Sequence, residues 1–308
     1  MEFRKIIAFG KSSFVVSLPK AWMVAHNLVK GDVVYLEEED DDLKVMPSEK
    51  IPVEEENIVV VRADRKSTAR IRREVCSAYL NNAGQILIKG MDLSEVSKPI
   101  SKLINDLIAL EVIESGNNVI VAKDFLRVQD LRIKDYLRKL DIIVRSMLSD
   151  LCREDFDDFV ELAQRHQYGR KIYLLLLRVF KSAMINKNTR KNLDIPESTI
   201  IGYYRLVVAL QSISRKIPDV SMSMMENVDS RNTIRLMVDV VYREYLAMMK
   251  VISTMDPDKA YGFSERREQL LSELEAIELD GSEPVIHAHF FAHFCMHEMH
   301  EVIHRVYS

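Results

Sequence analysis

Helix breakers are scarce in this chain: 9 glycines and 8 prolines among 308 residues leave few places where a helix must stop, which disfavours an all-β fold. Cysteine is scarcer still. Cys76, Cys152 and Cys295 are odd in number, far apart and each set in an apolar helical stretch. They read as buried, reduced thiols of an intracellular protein and not as a disulfide framework. No apolar run reaches the roughly 18 residues of a spanning helix, and Leu174 to Leu177 is closed at once by Arg178. Met1-Glu2-Phe3-Arg4-Lys5 opens the chain with no apolar signal core behind it, so no export and no membrane insertion are expected, and the cytoplasm is the expected location. Cys-x-x-Cys, Walker, Gly-x-Gly-x-x-Gly and Gly-x-Ser-x-Gly patterns are all missing. Nucleotide-fold and serine-hydrolase enzymes are thereby disfavoured.

What the chain does have is 47% hydrophobic and 29% charged residues, the balance of a globular protein. Its net charge of −4 hides a sharp partition. Residues 1–30 carry Arg4, Lys5, Lys11, Lys20 and Lys30 against Glu2 alone, whereas residues 31–56 carry eleven acids, with Glu37 to Asp42 unbroken, against Lys44 and Lys50. Six like charges in a row repel one another and belong at a hairpin tip in water. The basic part is left free to meet a polyanion.

Three segments follow along the chain. Residues 1–47 read as strands at 4–9 and 13–18, a short helix after Pro19, and a hairpin of 33–36 and 43–46 around the acidic tip. So short a piece cannot bury a stable core alone, so it is expected either to pair as an intertwined homodimer, held by Ile6, Phe14, Val16 and Leu36, or to lean on the next domain. Residues 52–124 alternate a strand at 58–61, a helix at 68–80, a strand at 85–88, a helix at 95–110 and a hairpin of 111–115 and 119–122. A small α/β domain with a βαβ unit is the reading. Residues 126–308 are all helix: Ile133, Leu137, Leu140, Val144, Met147 and Leu151 repeat at 4-3-4-3-4, and Val238, Tyr242, Tyr245, Met249 and Ile252 at 4-3-4-3. Breaks near Arg153, Asp194, Pro218-Asp219, Asp256-Pro257 and Asp280-Gly281 predict helices at about 127–151, 155–187, 197–217, 230–255, 258–279 and 284–307. These point to two three-helix units in tandem. The fold class is thus a multidomain α+β chain: a swapped-hairpin β head, a small α/β domain and an all-α tandem bundle.

Ser17-Leu18-Pro19-Lys20-Ala21-Trp22, followed by Asn27-Leu28-Val29-Lys30-Gly31-Asp32-Val33-Val34-Tyr35-Leu36, resembles the AbrB/SpoVT swapped-hairpin DNA-binding family. The resemblance covers residues 1–47 and implies an intertwined homodimer whose basic strands and loops face DNA. By position it implies DNA contacts from Arg4 and Lys5 on the first strand, Lys11, Ser12 and Ser13 in the loop, and Lys20 after the proline. Lysines give salt-sensitive phosphate contacts with little sequence information. Arg4 is the one side chain here able to read a guanine edge with two hydrogen bonds. The opposing reading is a dimerisation module with solubilising charges, as in antitoxin-like relatives that bind a protein partner. Trp22, the single tryptophan, reads as an anchor for the short helix before it reads as a base-stacking platform.

Two further basic runs stand out. Arg62, Arg65, Lys66, Arg70, Arg72 and Arg73 surround a strand-to-helix connection and are opposed only by Asp64. A solvated helix face is the first reading, with auxiliary DNA contact or a phosphate-like ligand behind it. From 164 to 193 there is no acid at all, but Arg165, Arg170, Lys171, Arg178, Lys181, Lys187, Arg190 and Lys191. These form either a docking surface or a row that opposes acids on neighbouring helices.

The helical segment resembles the PhoU family of phosphate-uptake regulators in helix number and order. An AbrB-like head on a PhoU-like bundle is an arrangement met in archaeal proteins. The family's third and sixth helices carry Glu-Arg-x-x-Asp-type motifs that hold iron, zinc or manganese. Here the third reads Leu210-Gln211-Ser212-Ile213-Ser214-Arg215, without either carboxylate, and the sixth reads Met296-His297-Glu298-Met299-His300-Glu301. Six of the eight histidines fall in the last 22 residues, and His293, His297, His300 and His304 repeat at 4-3-4. One helical face of imidazoles with Glu301 is a candidate site for zinc, iron or nickel, its set being His293, His297, His300 and Glu301. Against it, the apolar stripe Ala292, Met296, Met299, Ile303 and Val306 lies one position round, so the row also reads as bundle-edge histidine. The function expected is a non-enzymatic, DNA-binding transcriptional regulator of phosphate uptake with the bundle as sensor or partner-docking module. Its rivals are a modulator docking on a phosphate transporter or kinase with the head used only for pairing, and a metal-dependent enzyme on the histidine helix.

Overall fold

The computed structural model describes residues 3–11, 13–39, 42–47, 57–254 and 256–307. Ser12, Asp40 and Asp41 of the acidic tip, and the stretch 48–56 with Pro52 lie outside the described residues. The chain divides into two compact units, Met1–Glu55 and Glu56–Ser308.

The first unit is two short hairpins around one helix. Strand β1 (Ile7–Phe9) pairs antiparallel with β2 (Ser13–Val15), Ile7 opposite Val15 and Phe9 opposite Ser13. Gly10 turns the chain between them at φ +71°, a left-handed backbone that a side chain resists. Both strands are shorter than the sequence pattern predicts. Pro19, extended at φ −62°, precedes α1 (Lys20–Ala25), and Asn27 ends it in the left-handed region at φ 54°. The Asp32 carboxylate accepts the Val29 N–H at 2.7 Å, tying the Lys30-Gly31-Asp32 turn. Strands β3 (Tyr35–Glu39) and β4 (Asp42–Met46) then pair antiparallel.

No described residue from 3 to 47 is buried in the single chain. Phe3 is 92% exposed, Ile6 and Phe14 74%, and Leu36 62%. Hairpins with this much apolar surface in water lack the term that would hold them folded.

The second unit opens with β5 (Ile58–Arg62), α2 (Thr68–Leu80), β6 (Gln85–Lys89), α3 (Ser94–Asn105), β7 (Leu110–Ser115) and β8 (Val119–Asp124). Strand order is β5-β6-β8-β7. β5 and β6 are parallel, the βαβ unit that the alternation predicts, and β8 runs antiparallel to both its neighbours. Ser67 caps α2 by accepting from Arg70 N–H at 3.3 Å. One sheet face, with Val61, Ile86, Ile88 and Ile120, forms a core with Ile71, Val75 and Tyr79 of α2 and Ile100 and Ile104 of α3.

Helices α4 (Ile133–Cys152), α5 (Phe159–Ile185), α6 (Lys187–Leu193), α7 (Glu197–Glu226), α8 (Arg231–Thr254), α9 (Pro257–Glu265), α10 (Arg267–Glu275) and α11 (Glu283–Tyr307) complete the chain. The stripe residues Ile133, Leu140, Val144, Met147 and Leu151 are buried, as are Val238 and Tyr245. Four expectations are corrected. No break falls at Pro218-Asp219: α7 runs through Pro218 for 30 residues. An interior proline costs about 3 kcal/mol, and continuing the helix keeps Ile217, Val220 and Met224 in the core, which offsets it. The predicted helix at 258–279 is instead α9 and α10, split at Arg266. The exit loop of α5 is a further helix, α6, capped by Asn186 and ended by Asp194 at φ 52°. The helix expected at 95–110 stops at Asn105, because Leu107 and Leu110 turn into the sheet core.

The α/β layer and the bundle share one compact unit. Leu174 of α5 is buried in the sheet's core. On the same helix Arg178, 3% exposed, grips Asp124 with both Nη atoms and donates from Nε to Asn82 at 2.8 Å.

Candidate functional site

The candidate DNA contacts sit where turns and strand ends present them to solvent. Arg4 and Lys5 precede β1, Lys11 follows Gly10 at its other end, Ser13 opens β2 and Lys20 opens α1. All five are exposed, while Ser12 lies outside the described residues. Trp22 is half-buried with its ring 4.9 Å from that of His26, the place of a helix anchor. Glu38 and Asp42 beside the acidic tip are exposed as well.

Residues 7–53 match the family model of MazE, described as antidote-toxin recognition and a bacterial antitoxin. The match spans β1 to β4, the segment that carries the Ser-Leu-Pro-Lys turn and the Leu-x-x-Gly-Asp turn. Neither a curated protein nor a solved structure matches the chain. Residues 7–53 are thus similar to the MazE antitoxin model, and their described part folds as hairpin, helix and hairpin.

The other basic runs sort themselves by what stands opposite. In the second run, Glu74 draws in Lys66 at 2.6 Å and Arg70 at 3.1 Å, and its hydrogen bond from Lys66 holds its carboxyl below the usual range. Arg62, Arg65, Arg72 and Arg73 remain exposed. The third run is largely spent inside the protein. Arg165 meets Glu161 and Asp150, Lys171 meets Asp106 at 2.9 Å, Arg178 meets Asp124, Lys181 reaches Asn81 at 2.6 Å, and Arg190 meets Glu197 at 3.3 Å. Opposing acids thus take four of the eight, Arg165, Lys171, Arg178 and Arg190, and an amide takes Lys181.

The histidine helix α11 does not gather its candidate ligands. His293 Nε2 lies 3.2 Å from His289 Nε2, and burial, then the His289 ring, hold His293 below the usual imidazole range. His297 is exposed and Glu301 faces Arg305 at 3.7 Å. His300 turns inward, its ring 4.5 Å from Phe263 and its Nε2 3.4 Å from Glu244 Oε1. Glu244, 2% exposed, also takes Arg266 at 3.0 Å. Among the described residues no three His, Cys, Asp or Glu side chains converge as a metal requires. On α7, Ser214 is buried against His166 Nδ1 at 3.0 Å, where a metal-holding helix would offer a carboxylate. The residues present do not fit the cluster that a PhoU-type bundle implies. Glu244, Phe263 and Arg266 around His300 had no sequence signal, since each comes from a different turn of α8 or from the α9–α10 corner.

Proposed function

We propose that the chain is a non-enzymatic, DNA-binding transcriptional regulator that acts as a homodimer paired through residues 1–47. The observation that carries this is the absence of any buried residue among those described from 3 to 47, in a segment that forms two register-defined hairpins. A second copy closing over Ile6, Phe14, Val16 and Leu36 supplies the missing core. The exposed Arg4, Lys5, Lys11 and Lys20 stay outside that core, on the side proposed to meet phosphates. The helical region serves as sensor or partner-docking module, and phosphate uptake is the process proposed for it, on the resemblance of its sequence to the PhoU family.

The test is a genome-wide map of bound DNA, with binding by the full chain measured against salt. Replacing Arg4, Lys5 and Lys20 with Ala removes three charges per chain and is expected to abolish binding while the dimer persists in light scattering. Each single Lys change lowers the salt slope by roughly one unit for all sequences alike. Unchanged affinity in the triple variant overturns the assignment. A second reading is favoured by the matched model's description: the unit pairs and captures a protein partner, of toxin type or a transporter or kinase. Absence of any bound DNA, with a protein co-purifying through residues 1–47, selects it.

A further inference from the structure

A cleft of about 1010 Å³ opens between α2, α3 and α5, lined by residues of the second unit. Its size is that of a cofactor or effector site. Five cations line it from three helices: Arg72 of α2, Lys98 and Lys102 of α3, and Arg170 and Lys171 of α5. Lys171 apart, none of them has an acidic partner among the described residues, and Arg170 is half-buried all the same. The lone acid of the wall, Asp106, is already engaged by Lys171 at 2.9 Å. Everywhere else along α5 the cations find acids or amides, so this concavity is where the charge is left uncompensated. A concave wall of one sign focuses its potential on whatever enters. The imidazole of His166 on the same wall is held below its usual range by burial and next by Arg170, as a cationic neighbourhood demands.

We propose that this cleft binds a small ligand carrying a chain of two or more phosphates. Several fixed cations spaced over three helices suit a linear polyanion better than one orthophosphate, since each phosphoryl group can take its own charge-assisted hydrogen bonds. Tyr168, 54% exposed, lines the same cleft with Gln164 and Gln167, a flat ring and two amides beside the cations where a nucleoside would lie. The ligand is therefore a nucleoside polyphosphate or an inorganic one. The inference stands apart from the DNA-binding reading, because no residue of 1–47 takes part.

Calorimetry on the full chain in magnesium-free, low-salt buffer compares inorganic tripolyphosphate, ATP and orthophosphate. One tripolyphosphate per chain is expected, with orthophosphate at least about tenfold weaker. The exposed pair Lys98→Ala with Lys102→Ala is expected to weaken tripolyphosphate about tenfold or more, each lost charged hydrogen bond being worth about that factor. Arg170→Ala should do the same, and Lys5→Ala with Lys20→Ala should not. ATP binding more tightly than tripolyphosphate, and losing that margin in Tyr168→Ala, identifies the nucleoside form; equal affinity identifies the inorganic chain. No binding by the wild type, equal affinity for orthophosphate, or full affinity in the Lys98/Lys102 variant overturns the proposal. Competition by duplex DNA that survives the Lys5/Lys20 change overturns it too, by making the cleft a nucleic-acid face.

Discussion

Removing Asp124 should unfold more of this protein than any surface acid can. Its carboxylate ends β8 and meets both Nη atoms of Arg178, one of them at 3.0 Å. Arg178 is 3% exposed, has its guanidinium 4.7 Å from the Tyr79 ring centre, and donates to Asn82 at 2.8 Å. Asp124→Ala leaves this guanidinium buried with the Asn82 amide oxygen and the Tyr79 ring for partners and no anion. Breaking a buried pair from one side costs about 3–5 kcal/mol. For a unit of this size each kcal/mol moves the thermal midpoint by about 2–4 °C, so a drop of about 6–20 °C is expected. Urea titration followed by helical circular dichroism gives the same quantity as a shifted midpoint at unchanged slope. The double change Asp124→Leu with Arg178→Met removes both charges together and is expected to recover most of the loss. Asp124→Ala within about 1 kcal/mol of wild type would refute the reasoning, and so would a double variant no better than the single one.

Phe14→Asp places a charge in the apolar surface proposed to close between two copies; light scattering is expected to show monomer, with the helical signal of the second unit retained. His166 and His293 are both held below the usual imidazole value of 6.5, chiefly by burial. The unfolded chain therefore takes up protons first as pH falls through about 6.5, and stability drops from there towards the folded values. His166→Gln, keeping a polar atom for Ser214, should flatten that slope in urea midpoints measured between about pH 7.5 and 5; an unaltered slope contradicts the sign argument. Elemental analysis of protein purified without an affinity tag is expected to find less than one equivalent of zinc, iron or nickel. The His289–His293 pair offers two ring nitrogens where a retained zinc takes roughly four donors. A full equivalent lost in His297→Ala would show that α11 rearranges to bind it.

The apolar periodicities carried most of the architecture. The 4-3 stripes of α4 and α8 and the strand–helix–strand alternation of 58–88 are local consequences of which positions can be buried, and such patterns survive folding unchanged. Pro218 misled because a breaker acts on one hydrogen bond, whereas the burial of Ile217, Val220 and Met224 acts over two turns. The same limit governs the histidine row. Spacing places His293, His297, His300 and His304 on one face, but that face lies a single position from Met296, Met299 and Ile303. Small rotation of α11 then decides that His300 enters the interior beside Glu244 while His297 stays outside. A sequence contains the row and not the rotation.

Charge was the least legible property, and it bears most on function. Counting cations picks out the acid-free stretch from 164 to 193 as the strongest basic surface of the chain. Folding brings the acids Asp106, Asp124 and Asp150 to that helix from outside the stretch, Glu197 meets Arg190 at its exit, and half of the eight charges are cancelled. Lys98 and Lys102 belong to no run at all, since Ser94–Asn105 mixes its charges, yet with Arg72 and Arg170 they face one cleft whose single acid is taken. A paired cation has its electrostatic free energy committed to the fold, while an unpaired one still has it to give to a ligand. Function in this protein should accordingly be sought where cations lack acids among the described residues, at Lys5, Lys11 and Lys20 of the N-terminal unit and at the α2–α3–α5 cleft, and not where they are most numerous along the chain.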